Sequence, residues 1–146
     1  MKISAVSDKH QPDWLRMRKR LYTGVDDTFH EQELSLITSS DEYNCYIAEN
    51  SDEKAIGFIE VSLRNIVDGV LGGPVGYIEG LYLESEFRSK GYGSALISKA
   101  VEWFKRKGCK QIATDTEIEN VSAQKYFEKL GFNKKWTIVQ YLKDIA

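Results

Sequence analysis

The stretch EFRSKGYGSALI, Glu86 to Ile97, decides how this chain is read. It follows the apolar run GYIEGLYL, Gly76 to Leu83. Gly91, Gly93 and Ser94 stand between Arg88 and a segment in which Leu96, Ile97, Ala100, Val101 and Phe104 fall on one helix face. Glycines let the main chain approach an anion closely, and a helix N-terminus offers unpaired N–H groups and favourable partial charge. Arg88 and Lys90 add full charge at the rim. The competing reading is a strand-to-helix connection that is merely rich in glycine, and the motif alone leaves both open. A Walker loop is ruled out by spacing, and a dinucleotide fingerprint needs a small residue where Leu96 stands.

Working outward, 146 residues are enough for one domain over 1–146 with a core of its own. The net charge of −2 argues against a nucleic-acid binder. No apolar run is long enough for a membrane span, and MKISAVSDKH has no signal-peptide core. Cys45, Cys109, His10 and His30 show no metal-ligand spacing, and the two cysteines read as small residues of a reducing cytoplasm.

KISAV predicts a strand, and Asp8 a cap for the helix holding Trp14, Met17 and Leu21. TGVDDT is a loop, after which Thr28 and Glu31 form a capping box for a short second helix. YNCYIAE and AIGFIEVSLR are strands joined by the turn NSDEK. NIVDGVLGG is a loop with Pro74 at its exit, and PVGYIEGLYLE a long strand. The glycine-led helix ends on Lys105 to Lys107 with Gly108 at C′; KQIATDT is a strand, and Asn120 caps a last helix stopped by Gly131 and Phe132. KKWTIVQYL predicts a closing strand. The whole is a mixed α/β sheet.

Gly80 and Glu79 interrupt the alternation of their strand, which suggests a bulge or a close backbone approach at Gly80. A bulge there would free the backbone N–H groups of Leu81, Tyr82 and Leu83 for an extended ligand. An acid inside a mostly apolar strand needs a reason, so Glu79 is a candidate for function, as is Asp115 at the end of its strand. Exposed loop charge is the simpler reading for Asp26, Asp27, Glu117 and Glu119 taken singly.

Taken together, the long strand, R-x-x-G-x-G-x-A-L at Arg88 to Leu96, and Asn120, Ala123 and LGF at Leu130 to Phe132 resemble the GNAT superfamily of acetyl-CoA-dependent N-acyltransferases. The resemblance implies a GNAT fold with a mixed, mostly antiparallel sheet of about six to seven strands flanked by four helices. It implies acetyl-CoA as co-substrate and no metal. It assigns the pantetheine arm to Leu81, Tyr82 and Leu83, the pyrophosphate to Arg88, Ser89, Lys90, Gly91, Tyr92, Gly93 and Ser94, and a cofactor contact to Asn120. It also makes the Leu83 N–H the donor to the oxyanion formed at the thioester carbon. As a helix cap Asn120 needs no ligand, and the two roles are compatible.

A narrower resemblance, to the aminoglycoside 6′-N-acetyltransferases, rests on Ser62-Leu63-Arg64, Val67-Asp68-Gly69, Gly73-Pro74-Val75, Ile78-Glu79-Gly80 and Thr114-Asp115. LYTGVDDTFHEQE, beginning at Leu21, is similar to that subgroup's L-W-P stretch followed by acids and a histidine. This match places Tyr22, Glu79 and Asp115 at a cationic acceptor, with Glu79 and Asp115 catalytic; a polycationic acceptor calls for an acid-lined site, to which Asp26 could contribute. The chemistry agrees: an amine arrives as an ammonium and must lose a proton before it attacks a thioester, and a carboxylate can orient the cation and take the proton. No residue stands out as an acyl-carrying nucleophile, so direct transfer in a ternary complex is expected. Many relatives carry a tyrosine as general acid where this chain has Phe127, with Tyr126 one step away; Tyr126 also reads as a plain core aromatic. Another acceptor, such as a polyamine, a small metabolite or a protein N-terminus, and a non-catalytic acyl-CoA-binding module are the alternatives. The resemblance allows a homodimer and a cytoplasmic location.

Overall fold

The computed structural model describes every residue except 69 and 71. Gly69, in the Val67–Gly69 turn of the sequence reading, lies outside the described residues. Elements follow in the order β1 (Lys2–Ala5), a 3-10 turn (Asp8–His10), α1 (Gln11–Leu21), α2 (Asp27–Ser39), β2 (Tyr43–Glu49), β3 (Ala55–Arg64), β4 (Val75–Leu83), a 3-10 turn (Ser85–Phe87), α3 (Tyr92–Arg106), β5 (Ile112–Thr114) and α4 (Val121–Lys129). The strands lie in chain order in one sheet; β1 to β4 pair antiparallel and β5 joins β4 in parallel. The mixed sheet and four helices are as expected.

Strand alternation divides the core between two faces. On one, Ile59, Val61 and Ile78 meet Leu96, Ala100 and Phe104 of α3. On the other, Ile47, Phe58 and Tyr82 meet Trp14, Met17, Leu34 and Ile37 of α1 and α2. Gly76 lets α3 settle on the head of β4, because a Cβ there would lie 2.5 Å from Cγ of Phe104.

Three local expectations are corrected. The sheet has five strands, not six to seven, because KKWTIVQYL forms none and β5 keeps only three residues of KQIATDT. Local pattern can favour an extended chain, but a strand also needs a ladder of main-chain partners. In the tail the apolar residues fall in adjacent pairs, Ile138–Val139 and Tyr141–Leu142, which no single sheet face can bury. All four are exposed, as is Trp136.

The second helix is capped by Asp26, whose carboxylate accepts from the Phe29 N–H at 2.9 Å, rather than by a Thr28–Glu31 box. A charged acceptor one residue ahead of the helix serves both the orphan N–H groups and the dipole. Asp8 lies inside the first 3-10 turn, and Ser7 precedes it.

Gly76→Ala tests the close approach of α3 to β4. Forcing a methyl against Phe104 should cost about 1–3 kcal/mol, read as a lower urea midpoint with an unchanged slope.

Candidate active site

The geometry of the site begins with one extra residue in β4. Glu60 pairs with Gly80 and Val61 with Ile78, so Glu79 is the bulged residue. The bulge expected at Gly80 is present. Leu81, Tyr82 and Leu83 nevertheless stay paired with Ile59, Phe58 and Gly57. Their inner edge is not freed as the sequence reading had it. The outer edge is open instead: β5 pairs only with Gly76, Tyr77 and Ile78, and Thr114 closes that short ladder by donating its hydroxyl to the Ile78 carbonyl at 3.0 Å. Beyond Ile78 no strand among the described residues covers that side of β4, so its polar main-chain groups there face a gap.

The gap leads to the glycine loop. Ser89 and Gly91 adopt left-handed φ values of 60° and 87°. The first i→i−4 bond of α3 runs from the Ala95 N–H to the Gly91 carbonyl, so the N–H groups of Tyr92, Gly93 and Ser94 precede the helical ladder. N–H groups so placed at a helix N-terminus can take an anion. Arg88 lies beside it, tied by its Nε–H to the Leu83 carbonyl at 2.9 Å, and the Lys90 ammonium is 5.9 Å from the Phe87 ring. The Tyr126 hydroxyl is buried without a hydrogen-bond partner among the described residues, and a Cβ on Gly93 would lie 2.5 Å from it. An unsatisfied hydroxyl beside a helix N-terminus marks a place where a polar ligand atom would be accommodated. Phe127 packs edge-on between Tyr126 and Phe132. Asn120 caps α4 through the Ala123 N–H at 3.0 Å. Open strand edge, helix N-terminus and orphan hydroxyl suit an elongated, phosphorylated ligand.

At the head of the gap stands a polar relay. Both Glu79 carboxylate oxygens accept from Nη2 of Arg64 at 2.9 Å, and one also accepts from the Ser62 hydroxyl. The Arg64 guanidinium lies 3.5 Å from the Tyr77 ring centroid, and the Tyr77 hydroxyl donates to Asp115. Glu79 and Asp115 are thus joined through Arg64 and Tyr77. Burial first, then the bond and charge of Asp115, push the Tyr77 phenol above its usual range, so it remains the donor of that pair. Asp115 itself is exposed. Asp26 makes no hydrogen bond or ion pair with Glu79 or Asp115 among the described residues; its carboxylate is engaged as the α2 cap.

Tyr22 does reach this region. Its hydroxyl is 3.2 Å from the Glu79 carbonyl and 3.3 Å from Glu60 Oε1. Burial first, and then the Glu60 charge, push its phenol well up. Glu60, which the sequence reading passed over, is 2% exposed and takes the Trp14 indole N–H at 2.8 Å and an Arg18 Nη1–H. Arg18 also donates to His30 at 3.2 Å and pairs with Glu33 at 3.2 Å. The signal was available: Glu60 is an acid inside an apolar strand, just as Glu79 is. Arg64 and Tyr77 gave no such signal, because basic and aromatic side chains at strand ends are ordinary.

The model of the acetyltransferase (GNAT) family matches residues 6–132. The type 1 aminoglycoside N(6′)-acetyltransferase of Salmonella enteritidis is 33% identical over 98% of this chain and 99% of its own length. The one from Serratia marcescens is 32% identical over 91% and 92%. Among solved structures, the apo aminoglycoside antibiotic 6′-N-acetyltransferase from Acinetobacter haemolyticus superposes with a TM-score of 0.92 at 31% identity, covering 100% of both chains. A second structure, a 6′-acetyltransferase bound to the bisubstrate analogue CoA-S-monomethyl-acetylneamine, gives 0.91 at 33% identity over 98% of this chain and 97% of that one.

Glu84, at the exit of β4, supplies a pH test of the same region. Burial works to raise its carboxyl, but the hydrogen bond and charge of Arg16, joined by Arg20 and the Tyr82 hydroxyl, outweigh it and hold the group below the usual carboxylate range. A carboxyl depressed by folding adds stability that is complete above its unfolded pKa and is lost as pH falls through the folded value. Urea midpoints measured against pH should show Glu84→Gln weaker than the parent at neutral pH. The two curves should converge in acid.

Proposed function

We infer that this chain, which belongs to the acetyltransferase (GNAT) family and is an acetyl-CoA-dependent N-acetyltransferase, acetylates the 6′-amine of an aminoglycoside antibiotic and so serves as a resistance enzyme. The observation that carries the reading is the juxtaposition of the open β4 edge with the Glu79–Arg64–Tyr77–Asp115 relay at its head. The relatives' substrate class supports it. Acetyl-CoA supplies an activated acyl group as a thioester. Along the open edge, the main chain of Leu81, Tyr82 and Leu83 aligns an extended arm, and the Leu83 N–H is the proposed oxyanion donor. The Arg88–Ser94 loop and the first turn of α3 hold the diphosphate, with Asn120 farther along.

At the acceptor side the two carboxylates divide the work. Glu79, held on both oxygens by Arg64, is a fixed negative pole that orients an incoming ammonium. Asp115 has one hydrogen bond, from Tyr77, and faces solvent, which suits it to take the proton directly or through a water. Tyr22 and Asp26 belong to the proposed acceptor side, Tyr22 beside the bulge and Asp26 at the start of α2. Once the proton is gone the amine attacks the thioester carbonyl, and coenzyme A leaves as thiol.

A single domain over residues 1–146, a cytoplasmic location and a homodimer complete the proposal. Two free cysteines and dependence on acetyl-CoA support the cytoplasm, and no helix among the described residues is long and apolar enough to cross a membrane. The exposed Trp136, Ile138, Tyr141 and Leu142 support a second copy, which would cover what one chain leaves bare. Sedimentation of the full chain as a monomer at micromolar concentration would refute the dimer.

Thiol release followed across an aminoglycoside panel and spermidine tests the acceptor. Turnover is expected with drugs bearing a 6′-amine; release with spermidine alone would overturn the assignment. Asp115→Asn should lower kcat at least ten-fold and leave coenzyme A affinity within about two-fold, whereas Gly91→Val, which forces a branched residue to the φ of 87° held by Gly91, should weaken coenzyme A binding. The reverse pattern would exchange the two roles.

A further inference from the structure

The proposed machinery leaves the buried acid Glu60 unused. Glu60 lies on the α1 face of β3, two residues before Ser62, directly opposite Gly80 where β3 and β4 change register. Its carboxylate is 2% exposed and is gripped by Trp14 and Arg18. Burying a carboxylate is costly even when it is paired, and an apolar side chain of similar volume would serve the core at least as well. Its remaining oxygen meets the Tyr22 hydroxyl at 3.3 Å. That hydroxyl fills the notch where Gly80 lacks a side chain: a Cβ on Gly80 would lie 1.9 Å from it. From there it also reaches the Glu79 carbonyl at 3.2 Å.

We infer that Glu60 is a positioning residue: through Tyr22 it anchors the β4 bulge and so aims Glu79 at the acceptor amine. The inference rests on the proposed role of Glu79. Arg18 and Trp14 hold Glu60 from α1; Glu60 and the Glu79 carbonyl share the single Tyr22 hydroxyl proton in a three-centre bond; that hydroxyl, lodged at Gly80, keeps the extra residue on the face that carries Ser62 and Arg64. Removing the Tyr22 hydroxyl leaves the Glu60–Arg18–Trp14 contacts whole, so a loss in kcat at unchanged coenzyme A affinity separates positioning from general unfolding.

Four full-length variants, Tyr22→Phe, Gly80→Ala, the pair together and Glu60→Gln, are compared by kcat and KM for an aminoglycoside bearing a 6′-amine, by coenzyme A affinity and by thermal midpoint. Tyr22→Phe, which leaves one buried Glu60 oxygen unpaired, is expected to lower the thermal midpoint modestly, to keep coenzyme A affinity and to lose at least five-fold in kcat. Gly80→Ala should lose more, and that loss should shrink at least five-fold when Tyr22 is already Phe, since the clash at 1.9 Å is with the hydroxyl. Glu60→Gln, if it folds, should match Tyr22→Phe in kcat. An unchanged kcat in Tyr22→Phe, or a Gly80→Ala penalty equal in both backgrounds, overturns the inference. Full activity in Glu79→Gln, with the Tyr22–Gly80 coupling intact, would instead reject the role of Glu79 and leave the anchor standing.

Discussion

The structure depends on β4 keeping one neighbour and giving up the other. Along the β3 side β4 is paired from Val75 to Leu83; on the β5 side pairing stops at Ile78. A main-chain polar group shielded from water must find a partner, so an edge opened in the middle of a folded sheet is costly unless something else will occupy it. The bulge at Glu79 makes the opening geometrically feasible. It lets Tyr77 and Tyr82, five positions apart, lie on the same face, and it turns the strand without breaking the inner ladder. The donors of the α3 N-terminus and the relay ending at Asp115 are placed by this single irregularity.

Around that opening the charges form two ion pairs, bridged by the Tyr22 hydroxyl. Glu60 with Arg18 is shut away beneath Tyr22, whereas Glu79 with Arg64 is partly open, with side-chain exposures of 29% and 41%. Arg64 couples outward by lying flat on Tyr77, and Tyr77 passes the link to Asp115 as a hydrogen-bond donor. Cation, ring and two acids form one unit, so Glu79 and Asp115 are held in place by neighbours on β3 and β4.

Much of this was legible in the chain itself. The strands Tyr43–Glu49 and Ala55–Arg64 follow from alternation and a turn, and α3 from its apolar stripe and left-handed terminal glycine. Gly80 and Glu79 announced the bulge because both break a strand pattern. What could not be read were features that depend on a partner remote in sequence. The length of β5 is set by where it leaves β4, and a strand-like tail without a neighbouring ladder stays unpaired. The capping residue of α2 was a competition among Asp26, Asp27 and Thr28 that composition alone does not rank. Glu60 was passed over for a different reason: the rule that singled out Glu79 applied equally to it, yet no resemblance drew attention to it.

Helix α4 carries no fully buried residue; Tyr126 within it and Phe132 just past its end are partly buried against the α3 cluster. It also holds Asn120 and the unpartnered hydroxyl. One wall of the cleft is therefore loosely attached, and its amides exchange more readily than those of the sheet core. A ligand that satisfies that hydroxyl would fasten the helix to the sheet, so protection of α4 reports occupancy of the cleft from a distance.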